Sequence, residues 1–161
     1  MIIKHATTPE DFHEARELIL EYAKSLDFDL DFQQFDRELD GLSSMYGGAN
    51  SSLLLALVDD NVAGTVAVRP FDAGRCEMKR MWVRPQYRSQ GVARRLAEEI
   101  IAEAKTLNYQ YMLLDTTARM RPAITLYKSL GFVEIDSYTH NPIEDAKYFC
   151  LNLRFDDESH D

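Results

Sequence analysis

Cysteine is scarce in this sequence of 161 residues, since Cys76 and Cys150 are the only two. Two isolated cysteines are too few for a disulfide framework or a cysteine-based metal site. The four histidines have no metal-ligand spacing with the cysteines or with one another. We therefore expect two buried thiols and no bound metal.

Long apolar runs are also missing, and none approaches the roughly 20 residues that a membrane-spanning helix requires. The first residues, Met-Ile-Ile-Lys-His, place charge inside what would be the apolar core of a signal peptide. These features predict a cytoplasmic protein with no membrane partner. The sequence contains no internal repeat and no low-complexity segment, so we do not expect a repeat architecture.

Basic residues are in the minority, with 18 Lys and Arg against 27 Asp and Glu and a net charge of −9. This balance argues against a nucleic-acid partner, because phosphate contacts require an extended basic surface. Basic charge is nevertheless concentrated in one stretch between Glu77 and Arg95. That stretch holds one acid and the basic residues Lys79, Arg80, Arg84, Arg88, Arg94 and Arg95.

Apolar residues make up 45% of the chain, enough for one compact core, so we expect residues 1–161 to form a single domain. A strand at 2–5 precedes a helix that begins after the capping sequence Thr8-Pro9-Glu10-Asp11. A second helix is predicted from about Asp31, and the Gly- and Ser-rich stretch 41–51 is predicted as a loop. Further strands are predicted at 52–58, 62–71, 78–83, 109–115, 132–136 and 147–153, with helices from 92 and at 121–130. This order predicts a mixed α/β fold.

A strand, a short basic loop and a helix start follow one another between residues 78 and 95. From Val92, apolar residues recur three and four apart, as in an amphipathic helix. This arrangement directs unpaired main-chain N–H groups and the positive end of the helix dipole to one point, where phosphates bind. Gly91 has no Cβ and would let a phosphate approach the main chain, while Ala93 keeps the same surface low. On these residues alone, a solvated basic helix start is an equally good interpretation.

Two motifs in the right order favour the phosphate-binding interpretation. Arg88-Ser-Gln-Gly-Val-Ala93 resembles the Gln/Arg-x-x-Gly-x-Gly/Ala motif with which the GNAT N-acetyltransferase superfamily cradles the pyrophosphate of acetyl-CoA. Met81-Trp-Val-Arg-Pro85 is similar to that family's cofactor-side strand, and Leu126-Tyr-Lys-Ser-Leu-Gly-Phe132 resembles its C-terminal Leu-Tyr-x-x-x-Gly-Phe segment. The resemblance covers roughly residues 50–153. Met120 stands where many members carry an asparagine that contacts the cofactor.

The resemblance implies the GNAT fold, a central twisted and mostly antiparallel sheet of about seven strands with a splayed parallel pair, flanked by about four helices. It implies acetyl-CoA as co-substrate. Met81 and Val83 would offer main-chain groups to the pantetheine arm, and Trp82 would point the opposite way, into the core. The segment assigned to cofactor binding comprises Met81, Trp82, Val83, Arg88, Ser89, Gln90, Gly91, Val92, Ala93 and Arg94.

Acetyl transfer from a thioester to an amine requires a neutral amine, a site for the oxyanion and a proton for the departing thiolate. By resemblance Tyr127 is the proton donor, since a phenol with a reference pKa of about 10 is protonated at neutral pH. Glu77, eleven residues before Arg88, matches a strand glutamate that is the general base in some branches of the family. Asp115 lies where other branches place that acid. Water without a dedicated base is the third alternative.

The resemblance predicts direct transfer, in a ternary complex, to the primary amine of a small molecule that is amino-acid-like or a polyamine. Acetylation of protein N-termini or lysines, a non-catalytic acetyl-CoA sensor, and a nucleotide or phosphate-sugar enzyme are the alternatives. A homodimer is left open. The candidate residues on the acceptor side are Asp27, Asp29, Asp31, Tyr46, Tyr138, His140 and Tyr148.

Overall fold

The computed structural model describes residues 1–26, 32–141 and 143–154. The helices are α1 (Pro9–Ser25), α2 (Phe32–Asp40), α3 (Leu42–Tyr46), α4 (Val92–Thr106) and α5 (Arg121–Ser129), with a short 3-10 helix at Pro85–Tyr87. The strands are β1 (Ile2–His5), β2 (Ser52–Val58), β3 (Asn61–Asp72), β4 (Arg75–Val83), β5 (Tyr111–Thr117), β6 (Val133–Ile135) and β7 (Ala146–Asn152).

One seven-stranded sheet organises the chain, with strand order β1-β2-β3-β4-β5-β7-β6. Within the described residues, β4 and β5 form the one parallel pair, and every other neighbouring pair is antiparallel. The parallel pairing joins residues 75–77 to residues 111–113 and goes no further. Beyond Glu77 and Leu113 the two strands therefore diverge and open a gap in the middle of the sheet. This splayed pair confirms the predicted topology.

The helices cover both faces of the sheet and bury two apolar clusters. On one face, Leu96 and Ile100 of α4 pack with Tyr127 and Phe132 against the sheet. On the other face, Leu18 and other residues of α1 to α3 pack against the side chains that alternate with the first set along β2 and β3. The sheet is thus a middle layer between the two apolar clusters.

Helix α1 begins where the sequence predicts. Thr8 accepts a hydrogen bond from the main-chain N–H of Asp11, and Asp11 accepts one from the N–H of Thr8, which is a complete capping box. Lys4 pairs with the Asp11 carboxylate at 2.8 Å, and these contacts hold the pKa of that carboxyl well below its usual range. The cap therefore also fixes α1 to β1.

A bulge in β4 sets the directions of the side chains that line the site. The register of β3 and β4 shifts between Thr65 and Ala67, and Arg80 opposite the shift has a φ of 60°. The extra residue allows Lys79 and Arg80, although adjacent in sequence, to reach groups on the same face of the sheet. Without a bulge, neighbours on a strand point to opposite faces.

The loop predicted at 41–51 is partly wrong, because it contains the short helix α3. Tyr46, one of the candidate residues on the acceptor side, is 1% exposed and belongs to the apolar cluster under α1. The described chain accordingly has five α-helices where about four were expected. No helix in the described ranges combines the length and apolarity that crossing a bilayer requires.

Candidate active site

A cleft of about 830 Å³ occupies the gap where β4 and β5 diverge. The end of β4 and the loop after it form one wall, the start of α4 forms the floor, and β5 and α5 form the opposite wall. Of the predicted cofactor residues, all but Gln90 line this cleft: Met81, Trp82, Val83, Arg88, Ser89, Gly91, Val92, Ala93 and Arg94. Gln90 instead donates a hydrogen bond to the carbonyl of Gln86. Met120, whose contact with a cofactor was in doubt, also lines the cleft.

The start of α4 presents main-chain donors to this cleft. Gly91 precedes the helix with a φ of 82°, Ser89 has a φ of 64°, and no side chain caps the helix. Within the described chain, the N–H groups of residues 89–94 donate no hydrogen bond. A Cβ at Gly91 would meet no atom within 4 Å, so the surface above this glycine is open. Free N–H groups at an open helix N-terminus form a site for a phosphate.

The arginines of the loop are fixed by the protein itself. Arg88 donates through Nε to the carbonyl of Val83 at 3.0 Å, and its guanidinium lies 4.7 Å from the ring centre of Trp82. Arg94 donates to the hydroxyl of Ser129 at 2.7 Å, which joins α4 to the end of α5. Both side chains still line the cleft and supply positive charge beside the helix N-terminus.

Trp82 lies at the boundary between the cleft and the core. The indole Nε1 donates to Glu21 of α1 at 3.3 Å, and the ring packs on Tyr22 with centres 5.8 Å apart. The predicted inward orientation therefore describes the ring's main packing, although one part of the residue lines the cleft.

Tyr127 lies on α5 and lines the cleft. The ring packs edge-on against Phe132, with centres 5.7 Å apart, and the residue is 6% exposed. Burial raises the pKa of this phenol, so its hydroxyl keeps its proton at any physiological pH. In the described chain that hydroxyl donates no hydrogen bond to protein, which leaves the proton available to a ligand.

A second, polar pocket of about 560 Å³ lies on the α2 and α3 side of the sheet. It contains Glu77 and Asp115 together with residues from β3, β4 and the loop before β7. The other lining residues are Met45, Arg69, Pro70, Phe71, Lys79, Thr139 and His140. Asp115 lines both this pocket and the cleft, so the two spaces adjoin at this residue.

Glu77 is 5% exposed and both of its carboxylate oxygens have partners. Oε1 accepts a hydrogen bond from Nε of Arg69 at 3.2 Å, and Oε2 accepts one from the hydroxyl of Tyr138 at 2.9 Å. Burial and the charge of Glu77 raise the pKa of the Tyr138 phenol, which therefore remains a donor. The sequence indicated Glu77 as a candidate general base but did not indicate its partner Arg69. The only signal for Arg69 was its position in a strand whose side chains alternate between the two faces of the sheet.

Behind Glu77, a buried ion pair joins β4 to α2. Arg80 donates to both oxygens of Glu38, at 2.6 and 3.0 Å, and Arg69 lies 3.7 Å from the same carboxylate. Burial alone would raise the pKa of Glu38, but the hydrogen bonds and charge of Arg80 lower it below its usual value. Arg80, which also lines the cleft, thus pairs with Glu38, while the ion-pair partner of Glu77 is Arg69.

Asp115 is held differently from Glu77. Oδ2 accepts a hydrogen bond from the Asn141 amide at 3.0 Å, and Oδ1 lies 3.8 Å from Nζ of Lys79, beyond hydrogen-bond distance. One carboxylate oxygen thus remains available at the junction of the cleft and the pocket. The sequence pointed to Asp115 but gave no sign of Asn141.

Other predicted features fall outside this site. Burial raises the pKa of the Cys76 thiol to about 12, so it is not an effective nucleophile. No group of His, Cys, Asp and Glu in the described ranges could hold a metal ion. The acidic residues Asp27, Asp29 and Asp31 lie outside the described residues.

Comparison with known proteins agrees with this geometry. Residues 12–132 match the Acetyltransferase (GNAT) family. An uncharacterized N-acetyltransferase of Schizosaccharomyces pombe is 40% identical over 147 residues, which cover 90% of each chain. N-acetylaspartate synthetase of Homo sapiens is 35% identical over 91 residues, which cover 56% of this chain and 30% of that protein.

Solved structures share the architecture. An acetyltransferase of the GNAT family from Staphylococcus aureus superposes with a TM-score of 0.77 over 94% of this chain and 99% of that one, at 24% sequence identity. Identity at this level supports the fold and nothing finer. With the family match, it confirms the resemblance read from the two motifs.

Proposed function

As a member of the GNAT acetyltransferase family, this chain is an N-acetyltransferase, and we propose that it acetylates the primary amine of a small molecule by direct transfer in a ternary complex. The observation that carries the proposal is the meeting of two spaces at Asp115. A long cleft with free N–H donors suits acetyl-CoA, and a separate polar pocket suits the acceptor. Two adjoining sites allow both reactants to be bound at once, which transfer without an acyl-enzyme requires.

The residues around the cleft fit coenzyme A. The N–H groups of residues 89–94, with Arg88 and Arg94 beside them, would hold the pyrophosphate, and the exposed edge of β4 after Glu77 would hold the pantetheine arm. Bound there, acetyl-CoA supplies the activated acetyl group. Because β5 no longer pairs with this part of β4, the N–H and C=O groups on that edge are available to an extended ligand.

Tyr127 is the proposed proton donor to the leaving thiolate. The support is its place in the lining of the same cleft as Gly91, on a different helix, and a hydroxyl that donates no hydrogen bond to the described chain. The phenol holds its proton at Oη until a base forms nearby. A thiolate that forms within hydrogen-bond reach can accept that proton.

Asp115 is our preferred base for the acceptor amine, and Glu77 is the second candidate. Both oxygens of Glu77 are occupied by Arg69 and Tyr138, whereas Asp115 has an available oxygen at the junction of the two sites. A general base has to lie within hydrogen-bond reach of the proton that it accepts, directly or through one water. Glu77 also lines the acceptor pocket and, through its two hydrogen bonds, would position Tyr138 and Arg69.

The size of the pocket supports a small acceptor. A volume of about 560 Å³ lies in the range of small-molecule sites, and its lining is mainly polar. The human relative is named for the synthesis of N-acetylaspartate, a small acetylated amine, although the match covers only part of each protein.

A thiol-release assay with acetyl-CoA and a panel of amino acids, polyamines and peptides tests the proposal. We expect a small amine to raise the rate of coenzyme A release above that of acetyl-CoA hydrolysis. Mass spectrometry should then detect the acetylated amine. Turnover confined to peptides would replace the small acceptor by a protein acceptor. Tight acetyl-CoA binding without release on any amine would overturn the proposed transfer and support a sensor. Preference for a free nucleotide over coenzyme A in thermal-shift titration would overturn the cleft assignment.

A further inference from the structure

Two cations in the acceptor pocket have donors that the protein does not use. Arg69 and Lys79 both line the pocket on the α2 and α3 side of the sheet. They lie in a chain whose overall charge is −9, so basic side chains directed at one small pocket need an explanation. Charged groups in a concave site fix the orientation of the ligand that matches them.

Arg69 makes one good hydrogen bond, from Nε to Glu77. Its Nη1 lies 3.7 Å from Glu38 and 4.0 Å from the sulfur of Met45, and neither is a strong hydrogen bond. A guanidinium has five N–H donors in a planar fork that matches a carboxylate. Arg69 therefore keeps a donor edge for a ligand, and its side chain is 30% exposed.

Lys79 is less exposed and less satisfied. Its side chain is 17% exposed, and the nearest acid, Asp115, is 3.8 Å from Nζ. In the described part of the chain Nζ makes no hydrogen bond. Burial lowers the pKa of this lysine against the pull of Asp115 and Glu77, as expected for an ammonium with too few partners. An acceptor oxygen beside Nζ would supply the missing hydrogen bond.

The register of β3 and β4 makes Arg69 and Lys79 close neighbours on adjacent strands. Arg69 is directly opposite Glu77, and Ala67 is directly opposite Lys79. Arg69 and Lys79 are thus diagonal neighbours on one face, at a separation of about 7–8 Å between backbones. Long side chains at that spacing can reach the same ligand group.

The charges of the pocket also distinguish between classes of amine. Glu38 is matched by Arg80, Glu77 by Arg69, and Asp115 by Lys79. A zwitterionic amino acid leaves this balance unchanged, with its amine at Asp115 and its carboxylate at Lys79. A polyamine would bring two or more positive charges into a pocket that already holds Arg69 and Lys79, and like charges at close range repel.

We propose that the acceptor is an amino acid whose carboxylate is bound by Lys79 and Arg69 while its amine lies at Asp115. The inference rests on the proposed transfer reaction and narrows its acceptor. Asp115 is at the junction with the cofactor cleft, so an amine held there would be the group closest to the acetyl donor.

Matched acids and amides test the inference directly. The rates of coenzyme A release are compared for L-alanine and L-alaninamide, and for L-aspartate and its diamide. The amide removes the charge while keeping the size, and its amine loses a proton more readily, which by itself would favour the amide. A lower kcat/KM for the amide, by about ten- to a hundredfold, is expected for a lost hydrogen bond between charged groups. Equal or higher kcat/KM for the amides overturns the carboxylate subsite and leaves the acetyl transfer intact.

Variants locate the effect. Arg69→Gln and Lys79→Gln should each raise KM for the amino acid while leaving KM for the amide unchanged. Arg69→Lys keeps a positive charge and should restore part of the affinity. Lys147→Gln removes an exposed cation that pairs with Glu134 and lines neither space, and it should change neither constant. An unaltered KM in both pocket variants would overturn the inference.

A binding measurement separates failure of the subsite from failure of the reaction. Protein saturated with coenzyme A, which occupies the anion site at Gly91, is titrated with succinate or succinamide in a thermal-shift experiment. Stabilisation by succinate alone, lost in Arg69→Gln and Lys79→Gln but retained in Lys147→Gln, is the expected result. If either variant fails to fold, the comparison of succinate with succinamide on the native protein still decides the outcome, and Arg69→Lys and Lys79→Arg should keep at least part of the stabilisation by succinate. No stabilisation by succinate overturns the subsite whether or not any amine is turned over.

Discussion

The cofactor cleft and the acceptor pocket share Asp115 but are built in different ways. The end of the cleft at α4, where we propose that the pyrophosphate binds, offers main-chain N–H groups from consecutive residues, and its glycine surface is open. The pocket uses side chains from distant parts of the sequence, and its acids and bases are paired with one another and partly buried. Residues of the cleft should therefore govern binding and turnover with little effect on stability, whereas residues of the pocket should affect both.

The largest effect is expected from Tyr127→Phe. Removal of the phenol hydroxyl takes away the proposed proton donor, so kcat should fall by about 10²- to 10⁴-fold, the range for general acid–base catalysis. The dissociation constant of coenzyme A and the unfolding midpoint should hardly change, because the ring keeps its contact with Phe132.

Tyr109→Phe is the matched control for this change. Its hydroxyl donates to the carbonyl of Asn50 outside both spaces, so this variant should lose about 1 kcal/mol of stability and no activity. Steady-state kinetics with urea unfolding of both variants makes the comparison. An unchanged kcat in Tyr127→Phe would remove the proton-donor role.

Glu38→Gln should be the most destabilising change at the pocket. Glu38 of α2 is the acid that pairs with Arg80 of β4, so the substitution leaves the buried guanidinium without this counter-charge. Loss of one partner of a buried ion pair costs about 3–5 kcal/mol. Urea unfolding measures this difference. Glu134→Gln, at an exposed pair with Lys147, should cost less than about 1 kcal/mol.

The pH dependence of stability checks the same ion pair. Because the pKa of Glu38 is lowered in the folded state, its stabilisation is complete above the unfolded-state pKa of about 4.3 and is lost as pH falls through the folded-state value. Glu38→Gln should lose less stability than the native protein over that acid range. Parallel curves for the two proteins would contradict the assigned pKa shift.

Gly91→Glu should weaken coenzyme A binding by about a hundredfold or more. The φ of 82° is unfavourable for a residue with a side chain, and a carboxylate at the helix start would repel the pyrophosphate. Isothermal titration with coenzyme A measures the change. Gly48→Glu introduces the same side chain into open space in the loop before β2 and should leave affinity unaltered. Native affinity in Gly91→Glu would exclude the α4 start as the phosphate site.

The smallest effect concerns pH and the acceptor pocket. Because burial lowers the pKa of Lys79 below its usual value near 10.4, the affinity for succinate should be full below the lowered pKa and should fall several-fold as pH rises through it. Burial raises the pKa of Tyr138, the neighbouring phenol, so this group does not lose its proton over the same range. Lys79→Arg should abolish the fall. The same alkaline loss in Lys79→Arg would show that another group titrates.

Local patterns in the sequence predicted most of the elements and one of the two spaces. The capping box at Thr8, the apolar periodicity of α4 and the loop around Gly91 are all signals between residues a few positions apart. A loop of consecutive residues keeps its N–H groups together whatever the rest of the chain does. Nine of the ten predicted cofactor residues line the cleft, three of them on β4 and the others in this loop or at the start of α4.

The missed features depend on contacts between distant residues. Helix α3 contains two serines and lies between glycines, so its local sequence favours a loop. Burial of Tyr46 in the apolar cluster under α1 stabilises the helix in spite of that preference. The partnership of Arg69 with Glu77 depends on strand register, and that of Arg80 with Glu38 depends on a bulge and on the position of α2. Neither the register nor the bulge has a signature in residue order alone.

The amino-acid sequence by itself determined the open, glycine-led start of α4, the tyrosine of α5 and the alternation of strands and helices, because each of these depends on neighbouring residues. Tertiary structure decided where β4 and β5 separate and which acids and bases face the acceptor. Those outcomes depend on side chains from β3, β4, β5 and α2 that meet only when the sheet is assembled, and the free energy of each ion pair depends on the burial that assembly creates.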